Sequence, residues 1–544
     1  MYCRLKDEYK LRGWKMLPTG VVDSRTGRYT FLEPEVYRTL KLCNGAFDED
    51  SFIFSGKDRE NIRDLAEKGV IELLTEQKPL KPSQLYKEYD NRFLSQVHWS
   101  ITGKCNARCK HCYMSAPHAM MGEFSHDTCM DIIRQMGECG VVKVTISGGE
   151  PLIRRDFLEI IDAILENGIA ITTIMSNGLL VNDELLDEMD KRNIKPEFNM
   201  SFDGIGWHDW LRGVKGAEEK VIHAFRICHE RGFPTGAEYC LHKGNMGVMR
   251  ESVKLLGSLG LNNLKINRLN LQGEGVNLND FALSLNEAFD FYLDYIPQYI
   301  EDNAPMPILL AGFFMAHNTT EYGIPYAKLS EDISADDYCL CGHVRNVMHI
   351  TADGRIVPCI PMGNADGGRE NFPLLEEMKI RDALTDSYYM NFISAQLKEY
   401  FARNPECANC EYRNRCAGGC RGIAVIASEE NDLWAKDPEA CTFFKDGYYE
   451  KLTSLAQKLG LTLYDAKETQ RRIDNIKSFL NELQNNSSLQ EKINEALNTH
   501  EDRSVEAIII PIAREAGYYF TPEEFIAYNK AEWKKPPEIL QKIL

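Results

Sequence analysis

From Gln96 to about Asn270 the apolar residues switch period six times. Short β-branched runs at Val97–Thr102, Val142–Ser147, Ala170–Met175, Glu197–Phe202, Thr235–Leu241 and Asn263–Arg268 predict strands. Between them, Asp127–Cys139, Phe157–Asn167, Asp183–Arg192, Ala217–Arg231 and Val248–Leu256 carry apolar residues at helical spacing. Strand–helix alternation of this kind predicts a parallel sheet with right-handed crossovers, whose ligands sit at the carboxyl ends of the strands. The expected fold class is therefore α/β, with residues 95–275 as its central unit.

The flanks follow other patterns. In residues 1–90, Thr19–Val22 and Arg28–Leu32 flank Ser24-Arg25-Thr26-Gly27 as hairpin arms. Pro34 opens a helix that stops before Asn44-Gly45, Asp58–Lys68 predicts a second, and Val70–Leu74 a closing strand. Residues 276–336 are expected to form a mostly helical bridge, with helices at Leu283–Ile300 and Ile308–His317. In residues 448–544, Tyr448–Asp465 predicts a helix and exit linker. Beyond it, Ile473, Ile476, Leu480 and Leu483 recur at helical spacing. Ser488 with Glu491 predicts a capping box, Thr521-Pro522-Glu523-Glu524 a further helix start, and Phe520 with Phe525 a hydrophobic staple.

Composition narrows the classes. A chain of 544 residues exceeds one core, so two to four domains are expected. A net charge of −18 argues against a nucleic-acid partner, since no basic excess exists to neutralise phosphates. No apolar run approaches a bilayer span, and Met1–Lys10 lacks a signal-peptide core, which predicts a cytoplasmic protein without a membrane partner. Of the 17 cysteines, eleven fall into two groups with metal-ligand spacing. The other six, Cys3, Cys43, Cys129, Cys139, Cys228 and Cys240, read as buried small hydrophobes.

The first group, Cys105, Cys109 and Cys112, has C-x3-C-x2-C spacing at the end of the first predicted strand. Three thiolates can hold three irons of a [4Fe–4S] cube and leave the fourth open to an outside ligand. A zinc site completed by His111 or His118 is the alternative. In the second group, Cys339, Cys341 and Cys359 precede Cys407, Cys410, Cys416 and Cys420 in C-x2-C-x5-C-x3-C order, with Cys441 beyond. Spacing alone leaves a zinc ribbon open there.

The triplet followed by Tyr113 resembles the signature of radical S-adenosylmethionine (SAM) enzymes. Gly148-Gly149-Glu150-Pro151 resembles the motif that receives the SAM amino group. Ser176-Asn177-Gly178, Ser201-Phe202-Asp203-Gly204 and Arg212-Gly213 sit where that family contacts ribose and carboxylate, and Ile266–Leu269 lies where it meets adenine. The resemblance implies a partial (β/α)6 barrel. It also implies SAM contacts at Tyr113, Gly148, Gly149, Glu150, Pro151, Ser176, Asn177, Ser201, Asp203, Arg212 and Leu269. Residues 337–447 resemble the SPASM extension, which binds two auxiliary clusters. Carried over, Cys339, Cys341, Cys359 and Cys420 would hold the first, and Cys407, Cys410, Cys416 and Cys441 the second. The C-x-C pair departs from the wider spacing usual there, which leaves the ligation of the first cluster open.

Two further likenesses bear on function. Residues 1–90 are similar to the winged-helix peptide-recognition element of peptide-modifying clusters, a plain cap on the barrel being the alternative. Phe479–Phe525 resembles the nitrogen-fixation-type leader of ribosomal precursor peptides, a helical packing domain being the alternative. Together these imply a maturase with three [4Fe–4S] clusters and SAM that abstracts hydrogen from a precursor peptide bound through its leader. A flavodoxin or ferredoxin would be the electron donor. A sulfatase-maturase-like oxidation of serine or cysteine on a protein, and a non-catalytic metal-bearing scaffold, are the competing readings. No acid, base or hydrogen-transfer residue beyond the cluster cysteines stands out.

Overall fold

The structure, a computed structural model, describes residues 1–525 except 15–16, 18, 119, 318–321, 330–333, 337, 342–343, 345, 365–368, 431, 465–474, 481, 484–485, 500–503, 519, 521 and 523–524. Six parallel strands form its centre: β1 (Gln96–Ser100), β2 (Lys143–Ser147), β3 (Ala170–Ser176), β4 (Glu197–Ser201), β5 (Thr235–Leu241) and β6 (Asn263–Arg268), hydrogen-bonded in sequence order. Crossover helices α1 (His126–Glu138), α2 (Phe157–Glu166), α3 (Asp183–Lys191), α4 (Ala217–Glu230) and α5 (Met249–Ser258) cover one face. All six strands and five helices lie within two residues of their predicted ends.

The alternation explains the layering. Val97, Trp99, Ile146, Ile174, Phe198 and Ile266 are completely buried beneath the helices. On α2 the matching stripe is Phe157, Ile160, Ile161 and Ile164, each burial being worth about 1.5–3 kcal/mol. The opposite face is polar and laced across strands, by Gln96 to Thr145, Asn263 to Glu197 and Asn267 to Glu238. A two-sided sheet with one polar face leaves room for a ligand on that face.

The bridge departs from its predicted helical character. Leu285–Glu301 is a helix, capped by Ser284 with Glu287, but Ile308–His317 is not. Ile308–Leu310 (β7) pairs parallel with β6 and returns as the antiparallel strand Phe314–Ala316 (β8). Ala311-Gly312 turns between them, both at positive φ. An apolar run this short has no periodicity that separates buried strand from helix, and pairing to the open edge of β6 decides. At the other edge Val347–Ile350 (β9), from the cysteine-rich region, pairs parallel with β1.

In residues 1–90 the hairpin, both helices and closing strand form near their expected positions. The polar start is also structured. Tyr2–Leu5 is the central strand of a three-stranded sheet between Asn44–Asp48 and Ile71–Leu74. Tyr9–Trp14 pairs with the hairpin strand Gly20–Asp23. Arg4 is buried there but ion-paired with Asp7 and Glu72, which hid the strand behind its charge. This unit leans on the amino ends of the barrel strands. Lys10 Nζ donates to the Gly168 carbonyl at 3.0 Å. Gly27 packs so closely on Lys143 and Ala170 that an added Cβ would lie 2.8 and 3.3 Å from theirs.

The tail has its own core of Ile476, Phe479, Leu483, Leu489, Ile493, Leu497, Ile509, Phe520 and Phe525. Its helix Ser487–Thr499 starts one residue before the expected cap. Asn486, not Ser488, accepts from the Leu489 amide, because an asparagine oxygen reaches the third amide as well as serine does. Phe520 and Phe525 stack at 5.3 Å. Ile473, Thr521, Glu523 and Glu524 lie outside the described residues. Among the described residues, no helix is long and apolar enough to cross a membrane.

Candidate active site at the carboxyl ends of the strands

Cys105, Cys109 and Cys112 lie on the loop after β1, clamped by the loops after β2, β4 and β6. The amides of Arg108 and Lys110 donate to the carbonyls of Arg212 and Leu211, at 3.0 and 2.8 Å. The Glu274 amide donates to the Cys112 carbonyl. Gly149 and Glu150 donate to Thr102 and Lys104. The two glycines are required by proximity. A Cβ on Gly148, at φ 141°, would meet the Thr102 carbonyl at 2.3 Å, and one on Gly149 the Lys104 carbonyl at 2.2 Å.

Two buried carboxylates organise the mouth. Glu150, completely buried, accepts from the Ser176 hydroxyl and from the amides of Asn177 and Leu152. Burial outweighs those donors and pushes its carboxyl up to about 7. Asn177 in turn donates to Asn106 at 2.7 Å and points its other contact at Cys105 Sγ, 3.7 Å away. Asp203, also completely buried, accepts from Arg212 Nε at 2.6 Å and Nη2 at 3.0 Å, and pairs with His208 at 3.0 Å. The Arg212 guanidinium, with its partners, holds Asp203 far below the usual carboxylate range despite its burial. Arg212 Nη1 lies 3.8 Å from Cys109 Sγ.

The residues expected to contact SAM thus divide by geometry. Tyr113 is 40% exposed at the mouth, and Ser201 is half-buried at the end of β4. Pro151 is buried and opens a short turn. Asp203 is bound to Arg212, and Leu269 lies in one apolar cluster with Leu211 and Leu278. Glu238 was not expected. It sits on the polar face of β5, bound by Asn267, in the electrostatic neighbourhood of Tyr113 and Arg212. Its strand reads as alternating, but only the closed register shows that its inward face meets the cysteine loop.

Among the described residues no three His, Cys, Asp or Glu side chains converge on a single-ion geometry. His118 is 66% exposed and turned to Glu274. Cys105 and Cys112 each feel the thiol of Cys109, and three neighbouring thiols are the donor set that takes three irons of a [4Fe–4S] cube.

The second cysteine group forms two neighbourhoods. Cys407, Cys410, Cys416 and Cys441 line one cavity of about 450 Å³. Burial pushes Cys416 up to about 12. Cys359 is raised by burial and by the thiols of Cys420 and Cys341, which places these three together. Cys339 is held by a backbone bridge to Gln396 and is not among the groups that shift Cys359. Between the neighbourhoods, Cys416-Ala417-Gly418-Gly419-Cys420 turns through three successive positive φ angles of 45°, 74° and 67°. Buried Asp437 accepts there from the amides of Cys420, Glu439 and Ala440. Asp437 was not among the expected site residues; an Asp-Pro pair signals a helix start, and that signal says nothing of the cysteines nearby.

Residues 99–256 match the Radical SAM superfamily, residues 339–411 the iron–sulfur cluster-binding SPASM domain, and residues 473–525 the Nif11 domain. The protein is an enzyme of the α/β class, and its matched regions are similar to radical SAM and SPASM domains, which go with SAM and iron–sulfur clusters. In particular, it is 24% identical over 339 residues to a PqqA peptide cyclase of Granulibacter bethesdensis, covering 61% of this chain and 84% of that protein. It is 25% identical over 370 residues to an Fe-coproporphyrin III synthase of Methanosarcina barkeri, covering 65% and 90%. Solved structures of Streptococcus suis SuiB, bound to S-adenosylmethionine and to precursor peptide SuiA, align with a TM-score of 0.53 each. Their identities are 16% and 15%, over 80% of this chain and 99% of theirs.

Proposed function

We propose that this enzyme is a peptide maturase that cleaves SAM reductively and abstracts a hydrogen atom from a ribosomally made precursor, leaving a crosslink, a ring or an oxidised residue. The observation that carries the reading is the cysteine triplet, clamped at the carboxyl mouth by the loops that bear the other SAM-type motifs. A [4Fe–4S] cluster held there by Cys105, Cys109 and Cys112 would supply the one electron that breaks the C5′–S bond of SAM, releasing methionine and a 5′-deoxyadenosyl radical.

The chain's own residues then have separable tasks. Gly148 and Gly149 bring backbone against the cysteine loop, where the amino group of SAM would lie. Glu150 fixes Ser176 and Asn177, and Asp203 fixes Arg212 beside Cys109, so that two polar side chains reach the mouth pre-oriented. The polar face of the sheet, with Glu238, is open to substrate. Two auxiliary clusters would bind at Cys407, Cys410, Cys416 and Cys441, and at Cys341, Cys359 and Cys420 with Cys339 as the fourth candidate. A flavodoxin or ferredoxin is the proposed electron donor.

A peptide rather than a porphyrin substrate is favoured by the flanks. The Nif11 match makes the tail leader-like, and residues 1–90 present sheet edges to which an extended leader could add a strand. With leader and enzyme in one chain, tethering raises the leader's effective concentration. The test is anaerobic reconstitution with iron counting, SAM cleavage and the mass of a co-expressed Nif11-type precursor. Cys105→Ala, Cys109→Ala or Cys112→Ala should abolish cleavage and the mass shift while auxiliary iron stays bound; cleavage that survives these changes, or tetrahedral zinc at the triplet, would sink the proposal.

A further inference from the structure

Between the two auxiliary neighbourhoods sits a cation without an anion. Arg421 follows Cys420 and is 1% exposed. Its Nη1 donates to the Ala435 carbonyl at 2.5 Å, its Nη2 donates to the Gly418 carbonyl, and its Nε has no partner. Among the described residues no carboxylate pairs with it. Its guanidinium lies over the ring of Tyr400, 4.5 Å from the centroid. Tyr400 is also 1% exposed, and its hydroxyl lies 3.4 Å from Cys407 Sγ. The ring fits against Gly418, at positive φ, where an added Cβ would come within 3.1 Å of it. Cys420, Arg421, Tyr400 and Cys407 therefore form one unbroken chain of covalent and non-covalent contacts.

A buried cation without a counter-charge is costly. An iron–sulfur core held by four thiolates is anionic and would supply that charge. As a ligand Cys407 carries no proton, so the Tyr400 hydroxyl must donate to it. A hydrogen bond to a ligand sulfur stabilises the more negative, reduced state more than the oxidised one, and such bonds with local charge set cluster potentials. The guanidinium on the ring face strengthens the effect by polarising the phenol. Lys328 is a second nearby cation, but it influences both Cys416 and Cys420 and cannot distinguish the two sites.

We propose that Tyr400, gripped by Arg421, raises the reduction potential of the group bound by Cys407, Cys410, Cys416 and Cys441 relative to its neighbour. The proposal rests on the iron–sulfur reading of that site. It makes Tyr400 a tuning residue that acts through a ligand sulfur and touches no substrate.

The test uses the full chain with Cys105→Ala, Cys109→Ala and Cys112→Ala, which silences the mouth. Iron is counted first: a chain with no iron at the four-cysteine site refutes the underlying reading and this proposal with it. With iron present, an EPR-monitored redox titration compares this chain with one also carrying Tyr400→Phe, which keeps the ring and its stacking. At the poise where the parent site is half reduced, the reduced-to-oxidised ratio should fall about tenfold, equal to about 59 mV for one electron. The other auxiliary signal should not move, and the exchangeable-deuteron coupling of the reduced site should disappear from its ENDOR spectrum. A ratio unchanged within about twofold, an equal shift of both signals, or loss of iron from Tyr400→Phe would each overturn the assignment. The twofold bound is about 18 mV on the same scale.

Discussion

Asp203→Asn isolates the charge that holds Arg212 in place. The substitution keeps shape and one acceptor oxygen but leaves a guanidinium only 12% exposed, with its nearest carboxylate neutralised. Removing one partner of a buried pair costs about 3–5 kcal/mol. Partial exposure of Arg212 and the Cys109 sulfur at 3.8 Å favour the lower end, about 3 kcal/mol. At 1.4 kcal/mol per decade that is on the order of a hundredfold increase in local opening. A chain of this size does not unfold in two states, so global melting is the wrong readout. Hydrogen exchange of the segments containing residues 203–213 and 240–245 is the right one, because the Cys240 amide and Asn245 are tied to Asp203. Adding Arg212→Met should recover most of the protection, since a neutral pair leaves no stranded charge. The reasoning fails if exchange rises less than about fivefold (roughly 1 kcal/mol), or if the two substitutions simply add.

Two further outcomes follow from the mouth. Gly149→Ala puts a methyl 2.2 Å from the Lys104 carbonyl and 3.2 Å from Cys105 Cβ, so the cysteine loop must move. SAM affinity should fall by at least about tenfold with auxiliary iron unchanged, and undiminished equilibrium binding would show that the loop yields freely. Glu150, raised from about 4.5 to about 7, is held more tightly protonated by the folded chain than by the unfolded. Its contribution, about 3 kcal/mol, is therefore complete below about pH 4.5 and lost as the pH rises towards 7. Exchange of residues 176–178, corrected for its intrinsic rate, should reveal this loss in the parent. Glu150→Gln should be flat, and parallel profiles would discount the buried carboxyl.

What was legible along the chain was whatever short-range pattern controls. The six strands and five crossovers announced themselves by period, and the motifs by falling at strand ends, because a parallel sheet sends its loops to one mouth. The cysteine spacings separated two groups for the same local reason. Period could not tell that Ile308–Leu310 joins an open sheet edge, nor that the charged start of the chain is a central strand whose Arg4 finds Asp7 and Glu72. Nor could it tell that Asp203 pairs with Arg212, or that Arg421 lies over Tyr400. Some of these pairings join residues far apart in the chain, as Arg4 with Glu72, and others near ones, as Asp203 with Arg212, but the energies of all arise from burial, which exists only once the layers have closed.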